Sequence, residues 1–478
     1  MIRQDDDTND TENVPLVLDV DGTLLRTDLL YETFWAALGH NLFATLRILL
    51  RFWMAPEQLK RALRTVADPN IDLLPVRLPV LDLAREAAAN GRAVHLASGS
   101  DQGLVNAVAK RLDLPGEHFG SGDGCNLTGR TKAAFLTARF GEGGYDYAGD
   151  SRADKPCWQH ARKVIAVAPT RRLSAWLGNL GKPVTTFDGK VSSGALIKEM
   201  RPHQWVKNLL LLLPLLISHD FQIGAVAEVL LAIAAFSIGA SAIYIVNDLL
   251  DLEADRRHPE KRNRPIASGA LPIRAAMAAS ALLVFVALGL ALLVNPLVAA
   301  LTLTYMASSL IYSLWLKKLR WVDIVTLACL FLLRVVTGAM AAQVDVSGWL
   351  LAFLFSVFFT LACVKRLTGL TRASNGGALR GRGYTQDDRK SLEMAAYAAV
   401  ALSAVLFVAY TFSLAAAESF SSPRILVFSV IPIALWLVRV VRLSDLGKED
   451  YDPVVFVTHD KIGLALAGAG VVIALLAS

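Results

Sequence analysis

Asn247-Asp248-Leu249-Leu250-Asp251-Leu252-Glu253-Ala254-Asp255 stands where a long apolar run, 226–246, gives way to a basic stretch. On a helix, Asp248, Asp251 and Asp255 share one face, being three and four positions apart. Like charges that close repel, so the cluster is unfavourable at a helix end unless a cation satisfies it. Hard oxygen ligands suit Mg²⁺ shared with a pyrophosphate. The plainer alternative is a solvated loop paired to Arg256, Arg257 and Arg262.

Outward from this stretch, the chain of 478 residues is 54% hydrophobic and 19% charged, an apolar excess too large for an ordinary soluble protein. The excess is uneven. Residues 1–200 are mixed and charge-rich, whereas apolar runs near 205–218, 226–246, 273–295, 297–315, 321–342, 347–363, 395–416, 425–442 and 461–477 predict about nine transmembrane helices. Arg and Lys gather in the loops after the second, fourth, sixth and eighth runs, and the intervening loops hold only Arg424. That asymmetry predicts a bacterial inner-membrane protein with its N-terminal domain cytoplasmic and its C-terminus outside. The net charge of +6 is modest and calls for no nucleic acid. Cys125, Cys157, Cys329 and Cys363 have no metal-ligand spacing and read as packing residues. Met1 to Asn13, acidic and without an apolar core, reads as a disordered N-terminus rather than a signal peptide.

Residues 14–170 alternate buried-strand patterns (Leu16-Val17-Leu18, Val94-His95-Leu96, Val164-Ile165-Ala166-Val167) with helical stretches, predicting an α/β domain with a parallel sheet. The stretch 171–198, with Gly181, Pro183 and Gly189, reads as a linker to the membrane domain at 199–478. Strand 16–18 runs into Asp19-Val20-Asp21-Gly22-Thr23, two carboxylates at the carboxyl end of a strand, where α/β sheets bind ligands. An N-cap or Asx turn accounts for that turn almost as well. Ser98 at a second strand end, a lone Lys132, and Gly149-Asp150-Ser151-Arg152-Ala153-Asp154 after a further strand complete a set.

In this order the set resembles the haloacid-dehalogenase-like (HAD) phosphatases. The resemblance implies Asp19 as nucleophile and Asp21 as general acid/base. It implies Mg²⁺ held among Asp19, Asp21, Asp150 and Asp154, and Ser98 and Lys132 neutralising the phosphoryl oxygens. Residues 28–78 would form a helical cap whose apolar part, Leu46 to Trp53, touches the bilayer. A degenerate domain kept as a regulator is the alternative.

Asn-Asp-x-x-Asp-x-x-x-Asp after the second helix resembles the UbiA superfamily of intramembrane transferases. Within it, Arg201-Pro202-His203-Gln204-Trp205-Val206-Lys207-Asn208, Asp255-Arg256-Arg257-His258-Pro259-Glu260-Lys261-Arg262, Arg264-Pro265-Ile266-Ala267-Ser268-Gly269, Tyr312-Ser313-Leu314-Trp315-Leu316-Lys317, Asp323 and Arg334 resemble the decaprenyl-phosphate phosphoribosyltransferases. The resemblance implies catalytic and metal roles for Asp248, Asp251 and Asp255. It implies substrate contacts from Lys207, Asn247, Arg256, Arg262, Arg264, Tyr312, Lys317, Asp323, Arg334, Lys365 and Arg366. The family's Lys-Arg-x-x-Glu is Lys365-Arg366-Leu367-Thr368-Gly369 here, a departure bearing on the acceptor or on how the ribose hydroxyls are held. A basic 364–390, with only Asp387-Asp388, suits a substrate carrying extra phosphates. Arg334 inside a helix would face the active cavity, or else pack through a backbone carbonyl. Lys207, Lys317 and Lys365 serve equally well as positive-inside anchors.

These readings together describe a membrane-embedded, Mg²⁺-dependent transferase of about nine transmembrane helices, UbiA-like, behind a HAD-like α/β domain. Its expected partners are the lipid bilayer, a polyprenyl phosphate and phosphoribosyl pyrophosphate. Transfer of a prenyl group to an aromatic or lipid acceptor is the alternative.

Overall fold

The computed structural model describes residues 14–122, 124–189, 194–218, 221–372, 382–413, 416–417, 420–446 and 460–477. The expected disordered N-terminus, 1–13, and positions 373–381 of the basic loop lie outside them. The chain forms two compact units: residues up to Glu199 with Ile245–Ala279, and Met200–Tyr244 with the residues from Ser280 on.

In the first unit, β1 (Leu16–Leu18), β2 (Val94–Asp101), β3 (Phe119–Ser121), β4 (Asp146–Gly149), β5 (Val164–Val167) and β6 (Val184–Phe187) form one sheet. Every pairing is parallel, in the order β3-β2-β1-β4-β5-β6. β1, β4 and β5 are buried throughout, because helices cover both faces of a parallel sheet. Leu16, Leu18 and Leu96 pack on one side with Val80 and Ala84 of α4 (Leu78–Ala89) and Val105 and Val108 of α5 (Gln102–Leu112). Val17, Ala97 and Tyr147 pack on the other with Leu136 of α6 (Gly129–Phe140), Trp158 of α7 (Lys155–His160) and Leu173 of α8 (Arg171–Gly178). Between β1 and α4 lie α1 (Leu29–His40), α2 (Leu42–Phe52) and α3 (Pro56–Arg64). Asp28 caps α1 by accepting from Leu30 N and Tyr31 N, and Asn41 caps α2 by accepting from Ala44 N. Phe43, Leu46 and Leu50 of α2, with Trp53 and Met54 beyond it, are exposed.

The stretch 171–198, expected to be a linker, carries α8 and the sixth strand: β6 pairs with β5 from Val164↔Val184 to Val167↔Phe187. β6 is an edge strand, largely exposed and bounded by Gly181, Pro183 and Gly189, so it lacks the apolar signature of an interior strand.

The second unit is helical. Seven helices among the described residues are long and apolar enough to cross a membrane: Ile223–Leu250, Ile273–Val294, Pro296–Leu314, Val322–Ala342, Gly348–Arg372, Gln386–Thr411 and Pro423–Asp445. Lys461–Ala477 is a shorter apolar helix. The first of the nine expected spans is instead a 3₁₀ segment, Pro202–Leu212, followed by one short α-helix, Leu213–Ser218. Pro214 has no N–H to give the preceding turn. The carbonyl of Leu211 also comes so close to Gly338 that a Cβ there would sit 2.0 Å from it. Ile324, Val357, Leu361, Leu392 and Leu437 belong to one core of this unit, and Phe236, Ala240, Ala291 and Tyr305 to another.

Candidate functional site

Strand order reverses between β1 and β4, the point at which an open α/β sheet leaves a crevice at its carboxyl edge. Leu18 pairs with Ala148 and Asp19 N donates to Ala148 O at 2.9 Å, so Asp19 and Asp150 leave the sheet side by side. The main chain turns at Gly22 with φ +77°, where a Cβ would lie 2.3 Å from Asp150 Oδ2; only glycine fits. Asp19, Asp150 and Asp154 each present a carboxylate oxygen, all within 4.8 Å of one another, a hard-oxygen donor set that suits Mg²⁺.

Lys132, buried in α6, donates from Nζ to Asp19 Oδ1 at 2.8 Å and to Tyr147 Oη at 2.9 Å. Burial opposes its charge, but Asp19 and Asp154 outweigh that and hold the ammonium above its ordinary range. Burial raises the Asp19 carboxyl well above its usual value; Lys132 opposes the rise, and the neighbouring carboxylates add to it. Burial, with Asp154 and Asp21, pushes Asp150 up to about 7. Asp154 is anchored by Tyr147 Oη at 2.8 Å and by Ser151 N and Oγ, both at 3.0 Å.

Two assignments shift. Asp21, expected among the metal ligands, is not in the metal-like cluster. Its Oδ2 accepts from Ser98 Oγ and Ser100 Oγ, both at 2.7 Å, and its Oδ1 from Leu29 N at 2.7 Å. Ser98, expected at the phosphoryl oxygens, is fully buried against Asp21, while Ser100 two positions on faces the cavity. That cavity, of about 560 Å³, is lined by Asp19, Asp21, Lys132 and Asp150, and also by Arg26, Lys60, Arg77, Gly269, Ala270 and Pro272 to Arg274. The sequence reading did not single out Ser100, Lys60, Arg77, Arg26 or Arg274. The same-face spacing of Ser98 and Ser100 on a strand was the one signal for any of them.

The segment Ile245–Ala279 that completes this unit carries the other acidic cluster. The long helix Ile223–Leu250 breaks at Asp251 (φ −99°, ψ 15°) before the short helix Leu252–Arg257, so the three aspartates do not lie on one straight helix. Asp248 and Asp255 are buried, and Arg264 Nη1 bridges them, donating to Asp248 Oδ1 at 2.9 Å and to Asp255 Oδ2 at 2.5 Å. Burial raises the Asp255 carboxyl and Arg264 opposes it. Among the described residues these carboxylates do not reach the spacing of the Asp19 group. Mg²⁺ commonly needs only one or two protein carboxylates beside substrate phosphates. Asn247 Oδ1 is buried with no hydrogen-bond partner among the described residues, an open acceptor beside Asp248 that fits a polar ligand.

Arg256, expected at the substrate, is taken by Glu32 of α1. Its Nη1 and Nη2 reach the carboxylate at 3.0 and 2.6 Å, and its Nε donates to Ala267 O at 2.9 Å. With all three contacts internal, it positions the segment. Arg262 is exposed.

In the second unit, Asp323 is fully buried and accepts from Tyr312 Oη at 2.8 Å, from Arg366 on both oxygens, and from Arg382 at 3.1 Å. Oδ1 takes three of these bonds and Oδ2 one, so Asp323 holds Tyr312, Arg366 and Arg382 together. Arg334 donates to Leu330 O at 2.7 Å, Asn208 Oδ1 at 3.0 Å and Tyr305 Oη at 2.9 Å, and stacks near Tyr305, Phe331 and Phe236. The expectation that it faces the cavity gives way to packing through a carbonyl and aromatic faces. Lys207 is buried, and Lys317 and Lys365 are half-buried.

The UbiA prenyltransferase family matches residues 211–462, more than half of the chain. The uncharacterized protein y4nM of Sinorhizobium fredii is 32% identical over 468 residues, covering 95% of this chain and 90% of that protein. The decaprenyl-phosphate phosphoribosyltransferase of Corynebacterium glutamicum is 39% identical over 189 residues, covering 38% of this chain and 57% of that protein. A UbiA homolog from Archaeoglobus fulgidus bound to GPP and Mg²⁺ aligns with a TM-score of 0.43 at 13% identity, covering 59% of this chain and 99% of that one. With its several long apolar helices, the protein is a multi-pass membrane protein, and it belongs to the UbiA prenyltransferase family.

Proposed function

We propose that the membrane portion transfers a 5-phosphoribosyl group from phosphoribosyl pyrophosphate to a polyprenyl phosphate. The α/β portion would be a HAD-type phosphatase that removes the 5-phosphate from the product. One observation supports the pairing most. The segment Ile245–Ala279 bears Asp248, Asp251 and Asp255, and its residues Gly269, Ala270 and Pro272 to Arg274 also wall the cavity over Asp19. The likeness to a decaprenyl-phosphate phosphoribosyltransferase supports the transfer step.

In the transfer, an oxygen of the polyprenyl phosphate forms a bond to ribose C1 as the bond from C1 to the pyrophosphate oxygen breaks. Mg²⁺ would neutralise the departing pyrophosphate, held by Asp248, Asp251 and Asp255 with the open carbonyl of Asn247 beside it. Arg264 supplies a positive charge between two of these carboxylates. In the phosphatase, the Asp19 carboxylate attacks phosphorus and the bond to the ribose 5-oxygen breaks, with Asp21 giving that oxygen a proton. Water then attacks the aspartyl-phosphate while Asp21 takes its proton, releasing phosphate and restoring Asp19. Lys132 offsets charge on the transferring group, and Mg²⁺ among Asp19, Asp150 and Asp154 would do the same.

Mass spectrometry of lipids made by the purified full-length protein from phosphoribosyl pyrophosphate and polyprenyl phosphate tests this. Polyprenyl phosphoribose, pyrophosphate and inorganic phosphate are expected. Prenyl transfer from a prenyl pyrophosphate to an aromatic acceptor, with no ribosylated lipid, would overturn it.

A further inference from the structure

The cavity over Asp19 has two electrostatic characters. Its acidic lining is Asp19, Asp21, Asp28, Asp150 and Asp154, with Lys132 among them. Its wall is basic, with Arg26, Lys60, Arg77 and Arg274. Two of these cations are already held. Lys60 donates to Asn126 Oδ1 at 3.0 Å and to Gly99 O, and Arg77 donates to Thr23 O and Gly22 O, both at 3.2 Å. Arg26 and Arg274 are exposed to the cavity and paired to no carboxylate among the described residues. Burial, and then the like charge of Arg26, lower the Arg77 pKa against the pull of Asp150, and burial lowers that of Lys60 against Asp21 and Asp28, which leaves Arg26 and Arg274 as the wall cations with no carboxylate partner among the described residues.

The wall is also built, not incidental. Arg26 N donates to Pro75 O at 2.8 Å. Gly269, at φ +72°, closes so tightly on this turn that a Cβ there would lie 2.6 Å from Arg26 Cβ and 2.7 Å from Arg26 O. That turn brings in Arg274 from the segment carrying Asp248 and Asp255. A cavity of about 560 Å³ is far larger than one phosphate needs and lies in the range of whole small-molecule sites.

We propose that Arg26 and Arg274 form a second anion subsite, so that this pocket takes a sugar phosphomonoester bearing another phosphate at the far end of the sugar. The monoester phosphorus sits at Asp19 and the second phosphate on the two guanidiniums, which bind phosphate through paired donors. The inference rests on the phosphatase reading and narrows its substrate class. Such a second phosphate belongs either to a free sugar bisphosphate or to a lipid-linked phosphodiester, and the chemistry at Arg26 and Arg274 is the same for both.

The test measures phosphate release by the full-length protein in detergent with Mg²⁺ on three substrates: ribose 5-phosphate, ribose 1,5-bisphosphate and a short-chain prenyl phosphoribose 5-phosphate. Both doubly phosphorylated substrates should exceed ribose 5-phosphate in kcat/KM by about tenfold or more, mostly through KM. Arg26→Gln and Arg274→Gln should each erase most of that preference, whereas Arg26→Lys and Arg274→Lys, checked by thermal unfolding, should keep part of it. A further gain of the prenyl substrate over the bisphosphate that the Gln variants leave intact belongs to the chain and identifies the lipid as source; equal rates identify the free bisphosphate. Hydrolysis of ribose 5-phosphate with no preference, or a preference the Gln variants leave unchanged, overturns the subsite alone. Hydrolysis of none of the three overturns the phosphatase reading, and the subsite with it.

Discussion

At the residue scale, the α/β site depends on close approaches that leave no spare volume. Replacing Gly22 by alanine puts a methyl group 2.3 Å from Asp150 Oδ2 and forces a left-handed backbone on a residue with a Cβ. Asp150 must move, and with it the carboxylate set shared with Asp19 and Asp154. Displacements near one ångström cost on the order of a hundredfold in rate. Gly22→Ala should therefore lower phosphate release by about that factor while ribosyl transfer continues; release within threefold of wild type would remove Gly22 from the site. Asp19, Asp150, Asp154 and Lys132 were legible because each follows a strand or opens a helix in a recognisable order. Ser98 was misjudged because spacing puts it and Ser100 on the same face of β2 but does not say which of the two reaches the cavity, and both hydroxyls donate to Asp21.

At the element scale, the short helix Leu252–Arg257 is tied to α1 by Glu32 and Arg256, with side chains only 3% and 6% exposed. Those partners stand 224 positions apart in the chain. Glu32 also accepts from Thr27 Oγ1 at 2.5 Å, next to the Asp28 that caps α1, whose first N–H holds Asp21. Removing one member of a buried pair strands the other charge and costs about 3–5 kcal/mol, whereas replacing both with apolar groups costs much less. Glu32→Ala should thus lower thermal stability sharply, and Glu32→Leu with Arg256→Leu should recover much of the loss. Equal stability of wild type and Glu32→Ala in thermal unfolding would count against the pair. Such a contact was invisible in the sequence, since Arg256 reads as one more basic residue after an apolar run. β6 was missed for a related reason: strand pairing at a sheet edge leaves little apolar imprint, whereas the interior runs Leu16–Leu18 and Val164–Val167 were plain.

At the scale of the whole molecule, loop charge argues for one orientation, in which the Asp248 segment faces the cytoplasm. Ser268 is half-buried with its hydroxyl donating to Arg264 O, so the exposed Glu260 is the better reporter on that face, with exposed Ser421 on the other. In a protein cleared of the exposed Cys125 and Cys329, a membrane-impermeant thiol reagent outside the cell should label Ser421→Cys and spare Glu260→Cys; the reverse pattern would invert the topology. The two proposed activities then share one side of the membrane, and their coupling can be tested by stopping one. Asp19→Asn keeps the shape of the side chain but cannot form the aspartyl-phosphate. Lys132 still has Asp154 within 3.6 Å, so the buried ammonium keeps a counter-charge and the unit should fold. The proposed transfer rests on Asp248, Asp251 and Asp255 rather than on Asp19, and should proceed. Supplied with phosphoribosyl pyrophosphate and polyprenyl phosphate, Asp19→Asn should accumulate the 5-phosphorylated lipid, while Asp248→Ala should make no ribosylated lipid at all. Wild type should yield the dephosphorylated lipid and one phosphate per turnover. If Asp19→Asn and wild type give the same lipid, the α/β unit acts on another substrate, and its shared cavity wall with the Asp248 segment serves position alone.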